Sequence, residues 1–360
     1  MHLAACCENC GAAFTDNMFR GVPLISNETD FGARPFWSVM IPTYNARADY
    51  LEEALKSVLQ QDPGPAQMQI EVVDDCSPDG PPVQVVRGIA GDRIKVHREP
   101  MNNGLAGIWN RCIERAYGEW VHILHQDDIV LPGFYEHLYR GIVGNPNISM
   151  AFCRFAIVDA NGHWNELGPL ERATPGVLNN WLERVATGYH VECPAVVVKR
   201  ATYEALGGFR TELTSVLDVE MWVRIAANAP VYYEPKILAG FRRHGSNESA
   251  MQARRGANMQ DMARAIEIWK NYLPANSKAQ LEQQARRYWA EVSLVIAQDF
   301  FAKGDLTACM SQLAAAKNLW NHGPHRLRRL RLKAKVIIQR ALGRRAMSLF
   351  RQLRRRIQPV

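Results

Sequence analysis

An apolar run, a helical segment and a second apolar run, all within residues 36–73, constrain this chain more than any other feature. Phe36-Trp37-Ser38-Val39-Met40-Ile41-Pro42 is stopped by its proline, and Gln69-Ile70-Glu71-Val72-Val73 resumes after the breaker Gln61-Asp62-Pro63-Gly64-Pro65. Between them, Leu51, Ala54, Leu55, Val58 and Leu59 recur at the spacing of one helix face. Strand, helix and strand make a βαβ unit, which requires a parallel pair joined by a right-handed crossover. A short strand at Arg93–His97 follows. Then Asn102-Asn103-Gly104-Leu105-Ala106-Gly107 opens a helix that Gly118 ends, and Glu119 to Leu124 reads as a fourth strand. Polar clusters sit just after these strands: Thr43-Tyr44-Asn45, Asp74-Asp75-Cys76-Ser77 and Asp127-Asp128. That edge, outside the carboxyl ends of the strands, is where open α/β sheets bind ligands.

Asp127 and Asp128 are adjacent like charges, costly unless water or a cation neutralises them. A hard divalent ion that also grips a diphosphate fits such a pair. An acidic turn ahead of a Pro132-Gly133 helix start is the plain alternative. For Asp74 and Asp75 the alternative is an Asx-rich turn cornered by Pro78-Asp79-Gly80.

Composition is that of a globular protein, with 47% hydrophobic and 22% charged residues. The net charge of +7 is unevenly spread. From Leu306 to the end there are 14 Lys or Arg and no Asp or Glu, which leaves 29 basic against 36 acidic residues in the rest. Eight scattered cysteines suggest a reducing compartment, and a lone Cys7-x-x-Cys10 is a weak zinc signal. The first residues lack the basic start and apolar core of a signal peptide, and no uncharged apolar run reaches the length of a spanning helix. A cytoplasmic protein, peripheral on the inner face of the cytoplasmic membrane, is the expectation.

Val39-x-Ile41-Pro42-Thr43-Tyr44-Asn45, Val72-Val73-Asp74-Asp75-x-Ser77-x-Asp79-Gly80, Asn103-Gly104 with Asn110, and Asp127-Asp128 stand in one order. Together they resemble the inverting glycosyltransferases of family 2, from about residue 37 to 248. The resemblance implies a GT-A fold: a mostly parallel α/β sheet flanked by helices, here with an α-helical C-terminal extension. It implies transfer from a nucleotide-diphosphate sugar to a glycan or lipid-linked acceptor in envelope polysaccharide or lipopolysaccharide synthesis, with Mn2+ or Mg2+ as cofactor. By the same resemblance Asp128 ligates the metal and Asp127 contacts the donor's ribose or sugar. Asp75 reads the nucleotide base, and Pro42, Thr43, Tyr44, Asn103 and Gly104 line the donor pocket. Asn103 and Asn110 organise their loop rather than react. The family more often carries an acidic residue where Gln126 stands.

Glu204-Ala205-Leu206-Gly207-Gly208-Phe209 resembles the family's turn before the acceptor loop. Asp218 then falls at the family's general-base position, with Leu217 in place of the usual Glu. A helix N-cap is the competing role for Asp218, and Glu220 is the alternative base. Phe241-Arg242-Arg243-His244 resembles the segment that closes over the diphosphate, with Arg242 or Arg243 pairing phosphate and His244 a metal ligand.

Four segments follow: an irregular leader at 1–35, a glycosyltransferase domain at 36–250, a helical extension at 251–322, and a basic amphipathic tail at 323–360. In that tail Leu327, Leu330, Ala334, Ile337 and Ala341 recur among Arg and Lys, the pattern of a helix lying on an anionic membrane; packing of the tail on the catalytic domain is the competing reading, and nucleic acid is not an expected partner. Two other classes stay open. A nucleotidyltransferase of related fold would want a Gly-rich loop with Lys or Arg after the first strand, which Pro42-Thr43-Tyr44-Asn45 is not. A non-catalytic nucleotide- or glycan-binding module would keep Asp75 yet tolerate loss of Asp218.

Overall fold

A computed structural model describes residues 23–25, 34–245 and 248–357. Most of the expected leader, with Cys6, Cys7 and Cys10, lies outside the described residues, as do Ser246 and Asn247.

The strands are β1 (Trp37–Thr43), β2 (Met68–Asp74), β3 (Lys95–Arg98), β4 (Trp120–Ile123), β5 (Ile129–Val130), β6 (Met150–Val158), β7 (Trp164–Leu167), β8 (Gly176–Val177), β9 (Val196–Lys199) and β10 (Val231–Arg242). Helices α1 (Ala48–Leu59), α2 (Val83–Ala90), α3 (Gly104–Arg115) and α4 (Phe134–Val143) lie in the first half. They are followed by α5 (Trp181–Thr187), α6 (Arg200–Leu206) and α7 (Leu217–Ala226). After β10 come helices only: α8 (Glu248–Arg255), α9 (Ala257–Trp269), α10 (Lys278–Lys303), α11 (Leu306–Leu319) and α12 (Gly323–Ile357), the last broken at Gly343.

One sheet runs β3-β2-β1-β4-β9-β6-β10-β5, with β7 added to β6 and β8 to β10. The parallel pairing expected from the βαβ pattern holds across β3, β2, β1 and β4, and again between β6 and β10. Strand β9 joins these two sets antiparallel to both, and β5, β7 and β8 are antiparallel additions. Every residue of β1 and β2 is buried, as a covered parallel sheet requires. Helix α1 buries Leu51, Ala54, Leu55 and Val58, four of the five positions its spacing marked. Gly118 is needed where β4 enters beside β1: a Cβ there would lie 2.7 Å from the Ser38 nitrogen.

Helices α10 and α11 form a hairpin whose turn is set by Asp305, its side chain accepting from the Ala308 amide at the start of α11. Leu281, Ala285, Trp289 and Leu319 belong to the same hydrophobic core as the sheet. The boundary at 250/251 therefore separates strands from helices without separating two cores.

Candidate active site

Helix α1 carries the chain from β1 to β2, whereas β4 pairs with the other side of β1, so the strand order reverses between β1 and β4. The crevice outside their carboxyl ends is the switch point at which this kind of sheet takes a ligand. Pro42 fits within β1 because β4 pairing stops at Met40–Ile123, leaving one side of the strand with no ladder to serve. Thr43 is buried, and Tyr44, 45% exposed, is the first residue out of the sheet. Gln126, on the β4 side, holds the Tyr44 backbone at both ends: its Oε1 accepts from the Tyr44 amide at 2.9 Å and its Nε2 donates to the carbonyl at 3.2 Å. The amide that replaces an acidic residue thus spans the crevice as a clamp.

Asp127 and Asp128 have opposite surroundings. Asp128 is fully buried, Oδ2 bonded to His125 Nδ1 at 3.0 Å and Oδ1 accepting from the Arg242 amide at 2.8 Å. Burial pushes its carboxyl up to about 6, with the His125 hydrogen bond pulling down and the Asp127 charge pushing up. Asp127 reaches the surface and meets His244, Oδ2 to Nε2 at 2.8 Å. The His244 ring lies 5.1 Å from the Tyr50 ring. Arg242 is 1% exposed: it pairs with Glu53, donates Nε to the Asp127 carbonyl at 2.9 Å, and stacks its guanidinium 4.6 Å above Tyr50. Of the two arginines expected to pair phosphate, Arg242 is built into the wall, while Arg243 keeps half its side chain exposed beside Glu166.

Asp75, expected to read the base, is 2% exposed. Its Oδ1 accepts from the Asn103 amide at 2.7 Å and Nδ2 at 3.0 Å, and its Oδ2 from the Gly104 amide at 3.0 Å. It caps α3 from across the crevice and leaves about one of a carboxylate's four lone-pair positions open. Asp74 similarly accepts from the Ser77 amide at 3.0 Å and hydroxyl at 2.5 Å.

On the facing side, α7 begins with Leu217-Asp218-Val219-Glu220. Asp218 is partly exposed and accepts only from the Val219 amide, at 2.8 Å, among its described hydrogen bonds. Burial raises its carboxyl above the usual range, against the Val219 amide and the charge of His125. Glu220, the alternative base, is fully buried. It accepts from Arg224 at 2.8 Å, Tyr272 at 2.7 Å and Arg210 at 3.3 Å. The loop before α7 is held from the helical extension: Asp261 on α9, 1% exposed, accepts from the Thr214 amide at 2.5 Å and the Ser215 amide at 2.9 Å. Asn110 binds the Phe209 backbone in both directions, 2.7 and 2.9 Å, and packs so closely that a Cβ on Gly208 would lie 2.3 Å from its Oδ1.

Among the described residues no group of three metal-ligating side chains comes together. The Asp127–His244 pair offers one carboxylate and one imidazole at the mouth, which suits an ion that takes its remaining ligands from a diphosphate and water.

Comparisons with known proteins bear on the family and the fold. The model of Glycosyl transferase family 2 matches residues 38–200. Over these 163 of the chain's 360 residues the sequence is similar to the family 2 glycosyltransferases. An uncharacterized protein of Mycobacterium tuberculosis is 29% identical over 65% of the chain and 75% of its own length. A putative teichuronic acid biosynthesis glycosyltransferase of Bacillus subtilis is 42% identical over 26% of the chain and 37% of its own. Against three rickettsial glycosyltransferases at 27–28% identity, the chain spans only 31–35% of their length. Among solved structures, S. aureus TarS 1-349 with UDP-GlcNAc superposes with TM-score 0.60 at 18% identity, covering 85% of this chain and 92% of that one. Mannosyltransferase PcManGT of Pyrobaculum calidifontis with GDP-Man and Mn2+ superposes with TM-score 0.54 at 22% identity, covering 86% and 88%. The fold is therefore GT-A, and the chain is a transferase.

The glycosyltransferase cleft also contains residues that motif reading passed over. His125 stacks on Trp109, centroids 4.9 Å apart, behind Asp128. Burial works against its charge, but the Cys193 sulfur and Asp128 outweigh it and hold its pKa above the ordinary value. Glu192, in the loop before β9, bonds the Tyr189 hydroxyl at 2.5 Å. Burial and then the Asp218 charge push its carboxyl up to about 8, opposed by Tyr189 and Arg243. His125 had a local signal, standing one residue before Gln126. Glu192 had none, because only the return of β9 beside β4 brings it to the cleft.

Proposed function

We propose that the enzyme transfers one sugar, with inversion, from a nucleotide-diphosphate sugar to an envelope glycan or lipid-linked acceptor, assisted by a divalent metal. One observation carries this reading. Asp127, His244 and Asp218 keep part of their side chains accessible at the crevice, while Asp128, Glu220 and Arg242 are buried and bound internally.

The metal would be held by Asp127 and His244, and Asp128 would orient the turn through Arg242 and His125. This exchanges the two aspartates relative to the sequence reading, because a carboxylate with both oxygens bonded and no exposure has no face for an ion. When bound, Mn2+ or Mg2+ supplies Lewis-acid neutralisation of the departing diphosphate. Of the two arginines, Arg243 takes the phosphate role, since Arg242 is buried and paired with Glu53. Tyr44, Asn103 and Gly104 line the nucleotide side, and Asp75 holds that wall in place. Asp218 removes the proton from the attacking hydroxyl, and its raised pKa strengthens it as a base. The names of the Bacillus relative and of the UDP-GlcNAc and GDP-Man complexes support the donor and acceptor classes.

The test is thermal unfolding with a panel of nucleoside diphosphates, with and without Mn2+. Ligand at a hundredfold excess over Kd stabilises by about 2.7 kcal/mol. A Mn2+-dependent shift with one nucleotide, lost in Asp127→Ala and kept in Arg243→Gln at reduced size, is the expected result. A shift indifferent to Mn2+ would remove the metal role, and silence across the panel would remove the donor reading itself.

A further inference from the structure

Helix α12 presents two unlike faces. Arg329, Leu332, Val336 and Gln339 are buried, and Leu332 and Val336 pack with Leu294, Ala297, Cys309, Leu313 and Ala316 of α10 and α11. Leu327, Leu330, Ala334, Ile337, Ile338 and Ala341 are all exposed, Leu327 and Ile337 each at 55%. At 3.6 residues per turn these six occupy an arc of about 100°, centred about 170° from the buried face. The apolar stripe that the sequence pattern marks is therefore not what holds the helix to the protein. A different face does that.

Exposed cations flank the stripe on both sides: Arg331 and Lys335 along one edge, Arg326, Lys333 and Arg340 along the other. No Asp or Glu occurs anywhere from Leu306 onward to soften this charge. We propose that this face of α12 docks the enzyme on an anionic lipid bilayer. The helix lies in the interface with Leu330, Ile337 and their neighbours among the acyl chains and the flanking Lys and Arg at the headgroups. Packing of Leu332 and Val336 on the α10–α11 hairpin makes α12 a fixed foot, so the catalytic cleft is carried at a set height over the surface. A nucleic acid would meet the apolar centre of the strip rather than its charged edges, which is the physical reason to prefer a bilayer. The inference deepens the reading above by placing its acceptor at a membrane.

The full chain is sedimented with vesicles of phosphatidylcholine alone and with one-third phosphatidylglycerol, with neither donor nor acceptor present, so failure here leaves the transferase reading intact. Wild type is expected to pellet with the anionic vesicles only, less so at high salt. Leu330→Glu with Ile337→Glu is expected to cut the bound fraction at least tenfold with unchanged thermal unfolding, since both sites are exposed. Lys333→Gln is expected to weaken partitioning about fivefold. Equal pelleting by the double variant, equal pelleting with neutral vesicles, or no pelleting overturns the proposal. So does retention of an RNA oligonucleotide in place of vesicles, or a dimer that Ile337→Glu dissolves.

Discussion

The turn after β4 and the first turn of α7 face each other across the crevice, and each carries two carboxylates with opposite fates. At the first, Asp128 is buried and bonded while Asp127 reaches the mouth. At the second, Glu220 is buried in a network of Arg210, Arg224 and Tyr272 while Asp218 stays accessible. The locked member costs solvation but fixes the backbone that aims its neighbour. The two locks differ in kind. Asp128 is tied to β10, inside the sheet, whereas Glu220 is tied to Tyr272 just beyond α9, so the turn that carries Asp218 leans on the helical extension and the turn that carries Asp127 leans on the sheet.

Four measurements sharpen or break that contrast. Asp218→Asn is expected to lower kcat by about 10²- to 10⁴-fold with unchanged thermal unfolding; retained turnover would remove Asp218 as the base. Glu220→Ala leaves Arg224 buried without its carboxylate and is expected to lower unfolding stability by about 3–5 kcal/mol in denaturant titration. A Glu220 variant as stable as wild type but catalytically dead would instead make Glu220 the base. Asp127→Asn and Asp128→Asn should separate: the first abolishes the Mn2+ effect on nucleotide binding at little cost in stability, the second destabilises by about 1–3 kcal/mol. Identical behaviour would mean that the turn acts as one unit.

The smallest effect concerns Glu192. Its carboxyl is pushed up to about 8 in the native state. As pH rises from an ordinary carboxyl value toward 8, the unfolded chain releases this proton and the native state keeps it, so stability falls across that window and is fully present below it. Glu192→Gln is expected to flatten the decline in unfolding free energy between pH 5 and pH 8, whose slope for one such carboxyl is at most about 1.4 kcal/mol per pH unit. Parallel wild-type and variant curves would show that Glu192 ionises freely.

Local order was readable from the chain itself. Continuous apolar runs placed β1, β2 and β4, the 3.6-residue period placed α1, and the Asn103-Gly104 opening with the Gly118 stop placed α3, because each element needs only its own residues to show these signals. The breaks at Pro63-Gly64 and Gly118 were equally local, and so was the clustering of polar residues after the strands. What these periods cannot contain is the direction in which a side chain is spent. Whether Asp127 or Asp128 faces the ligand depends on β10 bringing the Arg242 amide to Asp128. Whether Asp75 is open depends on the α3 start lying opposite it. Glu192 and Asp261 entered the site only through the return of β9 and the docking of α9. In α12 the sequence determined an apolar stripe between two basic edges, and tertiary packing decided which face is covered. Amphipathic period is a property of one helix, while burial is a property of the pair it packs with.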